Sequence, residues 1–232
     1  SGVGRGGGLY NTTGGQLTIT DCTFSQNTAA GDSPAGGGIA SSGTVAITNS
    51  TFSNNTCPNG FGGGGLFASD GTINISGSTF SGNSGYEGGG IATRTDSGTP
   101  TLTVTNSTFS SNQGTGQYGC GGGISSNGIL NITGSTFTGN AATGSPSYGG
   151  GGLYHINEDA SIANSTFSGN SSTTDGGGIY FRDWTMTLNY VTITSNTADS
   201  DNNGSGEGGG VFMPDWGGTL QVANTIIAQN SD

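Results

Sequence analysis

Lysine is absent from this chain, and only three arginines are present, at Arg5, Arg94 and Arg182. With 14 acidic residues the formal net charge is −11. Nucleic-acid binding rests on cations that neutralise phosphates, so this composition excludes it. Adsorption to an anionic membrane surface is excluded for the same reason. No apolar run is long enough to span a bilayer, which argues against membrane insertion. Charged residues make up only 7% of the chain and hydrophobic ones 29%, too few for a thick globular core. Such poverty fits either disorder or a repeat architecture with a thin continuous core, and periodicity decides between them. The three cysteines, Cys22, Cys57 and Cys120, match no zinc spacing. They read as small buried or loop thiols, with a Cys57–Cys120 disulfide or a bridge between chains as the open alternative.

What the chain has is glycine, 50 of 232 residues, and a repeat. A glycine triplet precedes an aliphatic residue eight times, at Leu9, Ile39, Leu66, Ile91, Ile124, Leu153, Ile179 and Val211. An alternating apolar pair then ends at Ile19, Ile47, Ile75, Val104, Ile132, Ile162, Leu188 and Val222. A third apolar mark follows, at Phe24, Phe52, Phe80, Phe109, Phe137, Phe167, Ile193 and Ile227. Three residues beyond each stands an asparagine: Asn27, Asn55, Asn83, Asn112, Asn140, Asn170, Asn196 and Asn230.

The step from second to third mark is always five residues, whereas the other two steps vary over 8–13 and 11–18. One corner is therefore fixed and two carry loops. Period-two alternation marks short strands with one face inward. The repeats, about 29 residues each, are too short for propeller blades, and a sandwich would not recur in register. The expectation is an all-β, single-stranded parallel β-helix of eight coils occupying 1–232 as one domain. Repeats start near 6, 36, 63, 88, 121, 150, 176 and 208. Like residues stack on like, and the asparagines form an amide ladder along the axis.

Other features of the sequence bear on chemistry. The glycine triplets lack the lysine of a phosphate loop and read instead as sites of positive φ and close coil approach. Threonine precedes the third mark in seven coils and serine mostly follows it, so an outward Thr/Ser rank is expected, with ice binding as one reading of it. Coils seven and eight carry matching segments, Ile179–Trp184 and Val211–Trp216. Simple stacking would set Asp183 near Asp215, Trp184 near Trp216 and Tyr180 near Phe212, with Tyr154 and the lone His155 beside them. Paired carboxylates and exposed aromatics suit sugars, and aromatic ladders also serve as interfaces. No catalytic residues are assigned, and the chain is expected not to be an enzyme. No cofactor is called for, although the acidic loops could hold calcium. Nine sequons, at Asn11, Asn49, Asn54, Asn74, Asn106, Asn131, Asn164, Asn170 and Asn203, are candidate glycosylation sites.

Gly-Gly-Gly-Ile at 88–91 with Phe-Ser-Gly-Asn at 80–83 resembles the repeats of the polymorphic outer-membrane proteins, Gly-Gly-Ala-Ile/Leu/Val and Phe-x-x-Asn. The third residue of the first motif is Gly here, not Ala. The resemblance recurs along the whole chain. It implies a right-handed parallel β-helix of the pectin-lyase-like group, displayed outside the cell and often adhesive. Joining the tail of the chain to its head gives a step of 14 residues between marks, inside the internal range. That phasing raises the expectation of head-to-tail stacking into a filament, or of a piece of a longer solenoid. The leading expectation is an extracellular structural or adhesive solenoid. A carbohydrate-binding or polysaccharide-processing β-helix is the alternative, and ice binding the third.

Overall fold

The computed structural model describes residues 6–30, 35–96, 98–117, 120–144 and 148–232. Arg5 and Asp32 lie outside them. Three parallel sheets of eight strands run the length of the molecule. The first runs from Leu9–Asn11 to Val211–Phe212, one strand after each glycine triplet. The second runs from Gln16–Thr20 to Thr219–Ala223 and the third from Thr23–Ser25 to Ile226–Ala228. Each coil gives one strand to each sheet, so consecutive coils pair in parallel and the chain forms a β-solenoid. Eight rungs enclose seven steps, so the expected eight coils amount to about seven full turns. The isolated bridges Gly6↔Gly36, Gly36↔Gly63, Gly63↔Gly88 and Gly88↔Gly121 align the triplets rung by rung.

The fixed five-residue step has a stereochemical cause. After each second-sheet strand one residue takes a left-handed conformation; among these are Asn49 at φ 48°, Gly77 at 57°, Asn106 at 48° and Gly134 at 63°. Glycine and asparagine bear that conformation at least cost. The next residue is usually serine. Ser50, Ser78, Ser107, Ser135 and Ser165 are buried and form a ladder: the Ser78 backbone N–H donates to Ser107 Oγ at 3.1 Å, and Ser78 Oγ–H donates to the Ser76 carbonyl at 2.8 Å. A corner two residues long can turn the chain in only one way, which locks the relative register of the second and third sheets.

The interior holds the columns expected. Phe24, Phe52, Phe80, Phe109, Phe137 and Phe167 stack with centroids 4.5–5.0 Å apart and planes within 6° of parallel. That spacing follows the ~4.8 Å between paired strands. Beside them run Ile47, Ile75, Val104 and Ile132, and Ile39, Leu66, Ile91 and Ile124, all essentially sealed from solvent. The triplet glycines work mainly through close approach. A Cβ on Gly37 would stand 2.3 Å from the Gly64 carbonyl oxygen and 2.6 Å from the Thr56 nitrogen. Positive φ occurs within the triplets only at Gly176 and Gly208 among the described residues, so that part of the expectation is corrected.

The outward positions of the second and third sheets carry no charge, as in Thr101, Thr103 and Thr105 followed by Thr108 and Ser110. Acidic groups sit in the connecting turns and in the loops that flank the first sheet. Cys22, Cys57 and Cys120 are all free. Burial pushes the Cys57 thiol up to about 12 and that of Cys120 up to about 11, so both stay protonated. The Cys57–Cys120 bridge considered from sequence is absent because the fold holds the two on different rungs: Cys57 pairs with Gly85 and Cys120 with Gly149.

Candidate functional site

The asparagines after the third sheet form an unbroken ladder. The Asn83 backbone N–H and its Nδ2–H both donate to Asn112 Oδ1, at 3.1 and 2.9 Å, and Nδ2 also donates to the Phe52 carbonyl at 2.9 Å. The same three bonds recur from Asn55 through Asn196, and Asn27 opens the series by donating to Asn55 Oδ1. Asn230 accepts from Asn196 and donates to the Ile193 carbonyl. These side chains are spent on structure. Asn170 appeared in both the ladder and the sequon set. It is buried with both amide hydrogens committed, so a glycan there is incompatible with this fold. Asn49, Asn54, Asn74, Asn106, Asn131, Asn164 and Asn203 are exposed, and Asn11 is part-buried with Nδ2 bonded to Ser41 Oγ at 3.0 Å.

The segments of coils seven and eight align only at their start. Ile179 pairs with Val211 and Tyr180 with Phe212. Further along, Thr185 pairs with Thr219, because Gly217 and Gly218 lengthen the second segment by two residues. Trp184 therefore lies beside Gly218, where a Cβ would meet the Trp184 carbonyl oxygen at 3.4 Å. The expected stacking of Trp184 on Trp216 and of Asp183 on Asp215 is corrected accordingly. Asp183 instead binds its neighbour Arg182, Nε to Oδ2 at 3.0 Å. Trp184 stands 55% exposed.

Trp216 and Asp215 belong to a cleft of about 350 Å³ on the flank of coils seven and eight. Its lining includes the aromatic Trp216, Tyr148 and Phe212 and the acidic Asp175, Glu207 and Asp215. Trp216 is held from two directions: the Arg182 guanidinium lies 5.0 Å from its ring centroid, and Tyr148 meets it edge-on at 5.4 Å. Behind this wall Tyr180 is fully buried, tilted against Tyr148 at 5.7 Å and Phe212 at 5.6 Å and stacked on Tyr154 at 5.0 Å. The Tyr180 hydroxyl has no hydrogen-bond partner. Burial, then the neighbouring Tyr154 hydroxyl, pushes it above the usual phenol range.

Asp175 and Glu207 occupy the same place one rung apart, each immediately before a glycine triplet. Backbone bonds clamp the two loops together. The Gly176 N–H donates to the Glu207 carbonyl at 2.9 Å, and the Glu207 N–H donates to Asp175 Oδ1 at 3.1 Å. Burial and the Glu207 carboxylate raise the Asp175 carboxyl above its ordinary range despite that N–H bond. In the sequence both acids belong to the acidic loops considered for calcium. Their shared position before the triplet was the signal that would have paired them. Tyr148 carried no such periodic mark.

His155 is sealed in the interior, stacked near Phe181 at 6.1 Å with one ring nitrogen, Nε2, 2.7 Å from the Glu158 carbonyl. Burial pushes its imidazole down to about 4. Among the described residues no three of His, Cys, Asp and Glu converge as ligands for a metal ion. Among the described residues no helix is long and apolar enough to cross a membrane.

Columns of identical residues, parallel pairing at every rung and a polar ladder at a fixed corner define a parallel β-helix. Residues 3–160 match the family described as the right handed beta helix region, and the chain belongs to that family. Residues 164–182 match the Chlamydia polymorphic membrane protein repeat. No curated protein and no solved structure matches the chain.

Proposed function

We propose that this protein is an extracellular, surface-associated β-helix with a structural and adhesive, non-enzymatic role, extended by head-to-tail stacking of copies. The observation that carries the reading is the repeated rung. The strands of the three long sheets pair in register with their counterparts one coil away, and in the asparagine ladder each Oδ1 accepts from the rung before. By the same pattern the rung of Ile227 and Asn230 would take the rung of Phe24 and Asn27 of a second copy. Such a contact is heterologous and does not close, giving a filament. The polymorphic membrane protein repeat match supports display at the cell surface. The burial of the chain's one histidine removes the commonest general base from any surface chemistry.

Sedimentation velocity and negative-stain electron microscopy test the assembly. Oligomers growing with concentration are expected for the unaltered chain, and monomers for Ile227→Lys with unchanged circular dichroism. A chain that stays monomeric at the highest attainable concentration would refute the stacking. Adhesion is read separately, by retention of protein-coated beads on cell layers against uncoated beads.

A further inference from the structure

We infer that the cleft on coils seven and eight is a binding site for an organic cation carrying an alkylated ammonium group. Aromatic rings and a carboxylate pair line the same cleft, and each favours such a group by a different force. Ring faces attract a cation through their quadrupole, most strongly for tryptophan. Carboxylates add Coulomb attraction that a part-buried site screens less than open water does. The Arg182 guanidinium that lies on the Trp216 ring is paired with Asp183, which offsets its charge toward an incoming cation. Asp175 and Glu207 are clamped one rung apart, and the Glu207 carboxylate makes Asp175 costlier to ionise; a bound positive charge relieves that repulsion.

The cleft volume, about 350 Å³, accommodates a small ligand. Asp183 and Trp184 do not line this cleft.

The test uses the full chain carrying Trp184→Phe, which leaves Trp216 as the only tryptophan. Choline chloride is titrated against Trp216 fluorescence, with sodium chloride at equal ionic strength and D-glucose as parallel titrations. A saturable response to choline alone is expected. Glu207→Gln and Trp216→Ala should each weaken binding by roughly tenfold or more, the latter followed by calorimetry. Asp21→Asn, in the turn after the second-sheet strand of the first coil and far from the cleft, should leave it unchanged. Glu207→Gln guards against an unfolded Trp216→Ala, since it alters no ring packing. A free cation and a lipid headgroup offer the same trimethylammonium. Co-sedimentation with phosphatidylcholine vesicles, but not with phosphatidylglycerol vesicles, assigns the headgroup; binding of free choline without co-sedimentation assigns a soluble cation. No saturable response, an equal response to sodium chloride, or binding of glucose in place of choline overturns the inference.

Discussion

At the scale of the residue, His155 governs a testable pH dependence. Its folded pKa of about 4 lies below the ordinary imidazole value, because burial disfavours the charged ring. The unfolded chain takes up the proton first as pH falls. This residue's contribution is therefore favourable and constant above about pH 6.5, declines between there and about pH 4, and is flat below. The difference is on the order of 3 kcal/mol. Denaturant titrations of His155→Phe, which matches Phe181 in the next rung, should lose that part of the slope. A variant whose stability falls with acid as steeply as that of the original would show that the cost lies in the carboxylates instead. The lone histidine was visible in the sequence, but its inward placement was not. Strand alternation points it the same way as Phe181, and its neighbours Tyr154 and Ile156 gave no hint of which face was inner.

At the scale of the element, the asparagine ladder should be the least replaceable part of each coil. Asn112 accepts two hydrogens from Asn83 and donates to the Phe80 carbonyl and to Asn140 Oδ1. Asn112→Ala leaves several buried polar groups unpaired, at an expected cost of about 3 kcal/mol or more. Ser110→Ala, next to Phe109 on the outward face, should cost roughly 0.5 kcal/mol or less. Urea midpoints for the two variants make the comparison, and equal shifts would deny the ladder its role. Much of this architecture was legible beforehand, since identical residues at matching marks can only mean stacked rungs. The serine ladder was not, because Ser50, Ser78 and Ser107 look like ordinary turn residues until the left-handed corner turns them inward. The cleft was legible only in part. Gly217 and Gly218 displaced Trp216 from the rung that simple alignment gives it, and Asp175 and Glu207 drew no notice as scattered loop acids.

At the scale of the whole molecule, stability is a sum of rungs and of the interfaces between them. A terminal rung has one such interface and an inner rung two. Amides of Thr219–Ala223 and Ile226–Ala228 should therefore exchange with deuterium faster than those of Thr101–Thr105 and Thr108–Ser110. Hydrogen-exchange mass spectrometry checks this in dilute protein, and uniform protection along the chain would argue for all-or-none unfolding. Charge is distributed around the rod as unevenly as stability is distributed along it. The strands of two of its three long faces carry no charged side chain outward, and the acidic groups lie in turns and loops at the corners. Counterions must then gather along those corners. Rods brought side by side repel less as salt is added, because each carries a net charge of −11 and the screening length shortens, so lateral contact through the uncharged faces belongs to high ionic strength.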